Sequence, residues 1–274
     1  MPHATINGAK IHYTDSGVGT ETVFLVHGLA FDGRMFAPQV EHLKKRYRCI
    51  TMDLRGHGQS ELTESGYDMD SLTQDAIGLM QHLGCGPCHF VGWSIGGFMG
   101  LRIASRNPKL LRSLVLIGAG SIAGSETDFG FKMVPYLTRF LGMGPVVGAL
   151  MSSMFAPTFL KDPARKDQVE MWKARFRANQ AMGISRAAAG VIAQPSIDAE
   201  LRSIATPTLM LEGEFDKVLP MAIAKRTADQ IKGCQLIVVS RAGHAVTMEE
   251  PTQVHQALDN FLDGLSRATS QVAQ

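Results

Sequence analysis

Gly92-Trp93-Ser94-Ile95-Gly96 is the stretch that decides the fold of this chain. It follows a short apolar run, Phe90 and Val91, that reads as a buried strand, and it precedes an apolar-periodic segment, Phe98 to Ala104, that reads as a helix. A strand-to-helix turn this tight holds its central residue in a strained backbone conformation, and its glycines avoid the clash a Cβ would cause. Such a turn lifts the Ser94 hydroxyl clear of the sheet, which makes Ser94 a candidate nucleophile.

Outward from this turn, strand-like runs recur at Ile11 to Thr14, Val23 to Val26, Cys49 to Met52, His89 to Val91, Ser113 to Ile117, Thr208 to Leu211 and Leu236 to Val239. Most are almost continuously apolar, as strands covered on both faces by helices are. Helical patterns alternate with them at Arg34 to Lys45, Met69 to Leu83, Ile95 to Arg106, Met221 to Ile231 and Pro251 to Gly264. The alternation predicts a doubly wound, mostly parallel sheet with an antiparallel start. From Gly120 to about Leu201 the strand rhythm gives way to Met- and Phe-rich helical segments broken by Gly142, Gly144, Pro157, Pro163 and Gly183. The expected organisation is a core of residues 1–120 and 202–265, a helical cap of residues 121–201, and a frayed polar tail of residues 266–274.

Composition narrows the class. The 274 residues carry 27 basic and 25 acidic side chains, interspersed, for a formal charge of +2. No basic stripe marks a nucleic-acid or anionic-membrane partner. No apolar stretch reaches the roughly 18 residues of a membrane span, and Met1 to Lys10 has no signal-peptide pattern, so a cytoplasmic address is expected. Cys85-Gly86-Pro87-Cys88 has the spacing of a redox pair, but it leaves a helical segment and enters a strand. A redox thiol needs a helix N-terminus to lower its pKa, so the motif is expected to be a turn.

A serine hydroxyl needs a base to take its proton, and the base needs a third group to fix its tautomer. Asp216 follows the strand ending at Leu211, with Glu212 and Glu214 as competing acids, and His244 follows the strand ending at Val239. Ser, Asp and His in that order, on loops after successive strands, are the predicted triad.

Together these features resemble the α/β-hydrolase superfamily, in its serine carboxylesterase and enol-lactonase branch, over about Thr5 to Leu265. His27-Gly28-Leu29 is similar to the family's oxyanion loop, Asp53-Leu54-Arg55-Gly56-His57-Gly58-Gln59-Ser60 to its loop after the next strand, and Gly213-x-x-Asp216-x-x-x-Pro220 to its acid loop. The resemblance implies an eight-stranded sheet with the cap inserted after strand 6. It assigns the oxyanion-binding N–H groups to Leu29 and Ile95 and structural roles to His27 and His57, with no metal and no cofactor. Some relatives carry the acid after the strand ending near Gly118, but this chain has Gly118-Ala119-Gly120-Ser121 there, which favours Asp216.

Serine at the elbow excludes the relatives with a carboxylate nucleophile, the haloalkane dehalogenases and epoxide hydrolases. Carbon–carbon hydrolases usually carry a Trp shortly after the histidine, where this chain has Ala245-Val246-Thr247-Met248. The expected activity is hydrolysis of small to medium, largely apolar carboxylic esters. Enol-lactone hydrolysis, carbon–carbon bond hydrolysis and slow ligand sensing are the alternatives. Trp93, Met143, Met154, Phe155 and Trp172 are the candidate substrate contacts.

Overall fold

The computed structural model describes residues 2–17, 19–127 and 129–272. Its eight strands are β1 (His3–Ile6), β2 (Ala9–Asp15), β3 (Thr22–Val26), β4 (Arg48–Met52), β5 (Cys88–Trp93), β6 (Leu111–Ile117), β7 (Thr208–Gly213) and β8 (Gln235–Val239). They form one sheet in the order β1-β2-β4-β3-β5-β6-β7-β8. The β1–β2 and β2–β4 pairings are antiparallel, and every pairing from β4 across to β8 is parallel.

This is the doubly wound sheet the alternation predicts, with one strand beyond the seven apolar runs. β1 lies at the sheet edge, where His3 and Thr5 face solvent and only Ala4 and Ile6 are buried. Two buried residues in four leave no apolar run to find. β3 and β5, by contrast, are buried along their whole length, as central parallel strands are. β8 differs from the expectation of full cover. It is the other edge strand, and Ile237 and Val238 are half-exposed.

The helices are α1 (Ala37–Leu43), α2 (Met69–His82), α3 (Ile95–Arg106), α4 (Phe129–Leu141), α5 (Val147–Met154), α6 (Pro157–Leu160), α7 (Lys166–Arg177), α8 (Ala181–Ala193), α9 (Asp198–Leu201), α10 (Met221–Gln230), α11 (Val246–Glu249) and α12 (Pro251–Val272). α2 packs with α3, and α1 with α12, to cover the sheet. The Asp68 carboxylate opens α2 by accepting from the Ser71 N–H at 2.9 Å. α12 runs past Leu265, where the core was expected to end, as far as Val272; residues 273 and 274 of the expected tail lie outside the described residues.

Six helices, α4 to α9, fill the chain between β6 and β7. α4 packs on α8, and α5 on α7. An aromatic cluster fastens this insertion to the sheet: the Phe31 ring, in the loop after β3, lies 4.7 Å from Trp93, 5.1 Å from Trp172 and 4.9 Å from Phe176. Such ring pairs are worth about 0.5–1.5 kcal/mol each beyond the area they bury.

Cys85, in the turn after α2, and Cys88, the first residue of β5, are buried free thiols. Burial pushes Cys85 up to about 11 and Cys88 higher still. A thiol held protonated in this way is inert, which agrees with the turn reading of Cys85-Gly86-Pro87-Cys88.

Candidate active site

The loops after β3, β5, β7 and β8 meet at one end of the parallel strands, where open α/β sheets place their ligands. Ser94, directly after β5, has φ 52° and ψ −113°. A non-glycine residue held there stores strain of about 1–3 kcal/mol that the surroundings must hold in place. The restraint is steric as well as hydrogen-bonded. A Cβ on Gly92 would lie 2.3 Å from the Gly96 carbonyl carbon, and one on Gly96 would lie 2.1 Å from the Val26 carbonyl oxygen. The Ser94 N–H donates to the Ile117 carbonyl at 3.0 Å, tying the turn to β6.

His244 and Asp216 form a buried pair, with Nδ1 2.6 Å from Oδ2. The other Asp216 oxygen accepts from the Val218 and Leu219 N–H groups at 2.7 and 2.9 Å. Burial alone would raise the Asp216 carboxyl, but His244 and these donors outweigh it and hold it below the usual carboxylate range. The carboxylate therefore keeps the proton of His244 on Nδ1. Nε2 is left as the lone-pair nitrogen, buried and with no hydrogen-bond partner among the described residues. Gly118, at the end of β6, explains why that position holds no acid here. A Cβ on it would lie 2.9 Å from His244 Nδ1 and 3.5 Å from Asp216 Oδ2, so a side chain would occupy the space the pair uses.

The two competing acids are held differently. Glu214 accepts from the Arg241 N–H at 2.9 Å, bracing the histidine loop. Glu212 is fully buried, lies against Asp216, and is pushed well above the carboxylate range by burial and by that neighbouring charge.

A cavity of about 170 Å³ opens over Ser94 and is also lined by Leu29, Ile95 and His244. Among the described residues, no partner takes the backbone N–H of Leu29 or of Ile95. Apolar walls come from Trp93, Phe98, Ile122, Phe131, Met154, Val191 and Leu219. A second apolar chamber of about 210 Å³ lies between α4 and α5 and shares Leu29, Phe131, Met154, Lys217 and Val218 with the first.

Two of the five expected substrate contacts, Trp93 and Met154, line the first cavity. The other three need correction. Met143 is buried outside both chambers, and Phe155 and Trp172 are buried in the aromatic seam around Phe31 that joins the insertion to the sheet. A helical stretch rich in methionine and aromatics announces apolar burial without telling which face meets the cavity. Phe98, Phe131 and Val218 were missed for the same reason, since each looks like any other core residue in the sequence.

The structure also reveals a brace around His244 that no motif marks. Trp93 Nε1 donates to the His244 carbonyl at 2.7 Å, and the Ala245 N–H donates to the Met154 carbonyl at 2.8 Å. The fully buried Glu249 accepts from the Gly243 N–H at 2.9 Å and from the Ala156 N–H at 2.7 Å. Burial raises the Glu249 carboxyl to about 7 against the pull of these two donors.

His27 and His57 fasten loops. His27 Nδ1 faces the Gly28 carbonyl at 2.7 Å, and its Nε2 accepts from the Leu54 N–H at 2.9 Å, so both ring nitrogens are in use. Burial pushes His57 down to about 3. Asp53 sits beneath this loop, accepting from the Gly33 and Gln59 N–H groups and facing His12 at 2.8 Å. Burial opposes its ionisation, yet His12 and these donors hold it at about 2.

Comparisons with known proteins agree with this architecture. The sequence profile of the alpha/beta hydrolase fold matches residues 21–251. A protein of Stutzerimonas stutzeri (strain A1501), provisionally named carbamate hydrolase RutD, is 28% identical over 92% of this chain and 94% of its own length. The crystal structure of the enol-lactonase from Burkholderia xenovorans LB400 superposes with a TM-score of 0.89 at 25% identity, covering 96% of this chain and all of that one. A thermophilic esterase from Thermogutta terrifontis, with malate bound, gives a TM-score of 0.87 at 26% identity over 96% of this chain and 98% of that one. With more than half of its length matched, the chain belongs to the alpha/beta hydrolase fold family.

Proposed function

We propose that the protein is a serine hydrolase that cleaves small to medium, largely apolar carboxylic esters through an acyl-enzyme. The observation that carries this reading is the buried 2.6 Å contact between Asp216 and His244 beside a strained Ser94 on the same cavity. His244 Nε2 takes the Ser94 proton as Oγ attacks the ester carbonyl carbon, and Asp216 keeps the imidazole in the required tautomer and stabilises its cation. The backbone N–H groups of Leu29 and Ile95 receive the developing oxyanion, each worth about 100- to 1000-fold in rate. The imidazolium then protonates the leaving oxygen, the alcohol departs, and water attacks the acyl-Ser94 with His244 again as base.

The apolar lining of both chambers supports an apolar substrate. Likeness to an enol-lactonase and to an esterase supports acyl transfer from oxygen. Enol-lactone hydrolysis is the second reading, favoured by the TM-score of 0.89 to the enol-lactonase. Both readings use the same residues. A panel of p-nitrophenyl esters, enol-lactones, carbamates and ring-cleavage diketones, with Ser94→Ala as control, separates them. Ester turnover near 1–1000 s⁻¹, lost in Ser94→Ala, is the expected result. Ester turnover that survives in Ser94→Ala contradicts the mechanism, and tight ligand binding without turnover indicates a sensor.

A further inference from the structure

Glu212 lies beside the triad and takes no part in the mechanism above. It sits at the end of β7, four residues before Asp216, and is 1% exposed. Neither of its oxygens receives an N–H or hydroxyl from any described residue. An ionised carboxylate could not be kept in that state, because burying the charge without donors costs several kcal/mol and protonation removes the cost. A protonated carboxyl instead brings a donor of its own, and the Asp216 carboxylate lies within its hydrogen-bonding reach.

We propose that Glu212 is a neutral positioning residue whose O–H donates to the Asp216 carboxylate, so that Asp216 faces His244 with a carboxylic acid behind it. The proposal rests on the triad reading given above. Its first consequence is geometric. Asp216 receives bonds from Val218 N–H, Leu219 N–H, His244 Nδ1–H and Glu212 O–H, which fixes the carboxylate plane and with it the ring of His244. Its second consequence is electrostatic. A dianionic pair would hold the imidazolium too tightly to release its proton to the leaving group, whereas the Glu212 O–H spreads the single negative charge. The site then carries one net negative charge opposite the imidazolium. Glu249, from α11, is the other carboxyl that Asp216 influences.

The test compares Glu212→Gln and Glu212→Leu with the wild type. Glu212→Gln keeps a neutral donor, so kcat on a p-nitrophenyl ester should stay within about 3-fold and the acid limb of the pH–kcat/KM profile should not move. Glu212→Leu removes the donor; kcat should fall about 10-fold at nearly unchanged KM, and the acid limb should rise by about 0.5 unit, because a less shared Asp216 charge stabilises the imidazolium. Glu249 titrates equally in all three proteins, so it cancels from the comparison. An infrared difference spectrum gives a readout independent of catalysis: at pH 9, where Glu249 is ionised, a protonated-carboxyl C=O stretch should remain in the wild type and vanish in Glu212→Gln. That band stands even if no ester is turned over, so failure of the esterase reading and failure of this proposal are distinguishable. An acid limb lowered by a unit or more in Glu212→Gln, or absence of the band, would mean that Glu212 is ionised and would overturn the proposal.

Discussion

The two walls of the cavity over Ser94 are built on different principles. The sheet wall carries Leu29, Ser94 and His244 on loops and Ile95 at the start of α3, held by contacts too close for any Cβ, as between Gly96 and the Val26 carbonyl. The helical wall, from Phe131 of α4 to Met154 of α5 and Val191 of α8, meets the cavity through flexible or large apolar side chains. Under the proposed function, the difference separates chemistry from selection. Groups that must meet at hydrogen-bond distance are placed on rigid elements, and the part that meets a variable substrate is made of side chains that can repack.

The largest expected effect comes from disturbing the sheet wall. Gly96→Ala forces a Cβ onto the Val26 carbonyl oxygen with no flexible atom to yield. A loss of about 3 kcal/mol or more in urea unfolding is expected, with activity falling alongside. An alanine variant as stable and active as the wild type would show that this wall is not rigid.

The seam between the walls comes next. Glu249 bonds the histidine loop to the chain linking α5 and α6 through the Gly243 and Ala156 N–H groups. Its folded value of about 7 lies above the ordinary 4.5 of a glutamate, so the folded protein holds the extra proton between those limits. Stability from this group is therefore greatest at low pH and declines as pH rises from about 4.5 to 7. The stability of the wild type relative to Glu249→Gln should fall over that window by up to about 3 kcal/mol, measured by denaturant midpoints. A difference independent of pH would mean that Glu249 is already ionised at the low end.

The smallest effect is expected on the helical wall, and it should be selective. Ser153 faces the second chamber from α5. Ser153→Phe should narrow that space, lowering kcat/KM for eight- to ten-carbon acyl esters about 10-fold while leaving acetyl and butyryl esters unchanged, since each buried CH2 is worth up to about 4-fold. An equal loss on all chain lengths would place the chamber outside the substrate's path.

The same division governs what was legible in the sequence. Ser94, Asp216 and His244 stood out because each is a chemically distinctive residue immediately after an apolar strand run, where glycines mark a crowded turn. The parallel sheet was legible through its apolar strands, whereas edge strand β1 was not, because only Ala4 and Ile6 of its residues are buried. The helical insertion was visible as a loss of strand rhythm. Its lining was not: Met154 reaches the cavity while Met143, Phe155 and Trp172 are buried away from it, and nothing in their local sequence distinguishes them. Glu249 was hidden for a different reason, since an acidic residue just before a proline-initiated helix has the appearance of a solvated cap.

The proposed chemistry depends on Ser94 being the hydroxyl that His244 activates. Incubation with a fluorophosphonate, followed by peptide mass spectrometry of the wild type and of His244→Ala, tests this most directly. The account predicts one adduct per chain, on Ser94, formed at least about 100-fold more slowly in His244→Ala. An adduct on another residue, or labelling of Ser94 at the same rate without His244, would contradict it.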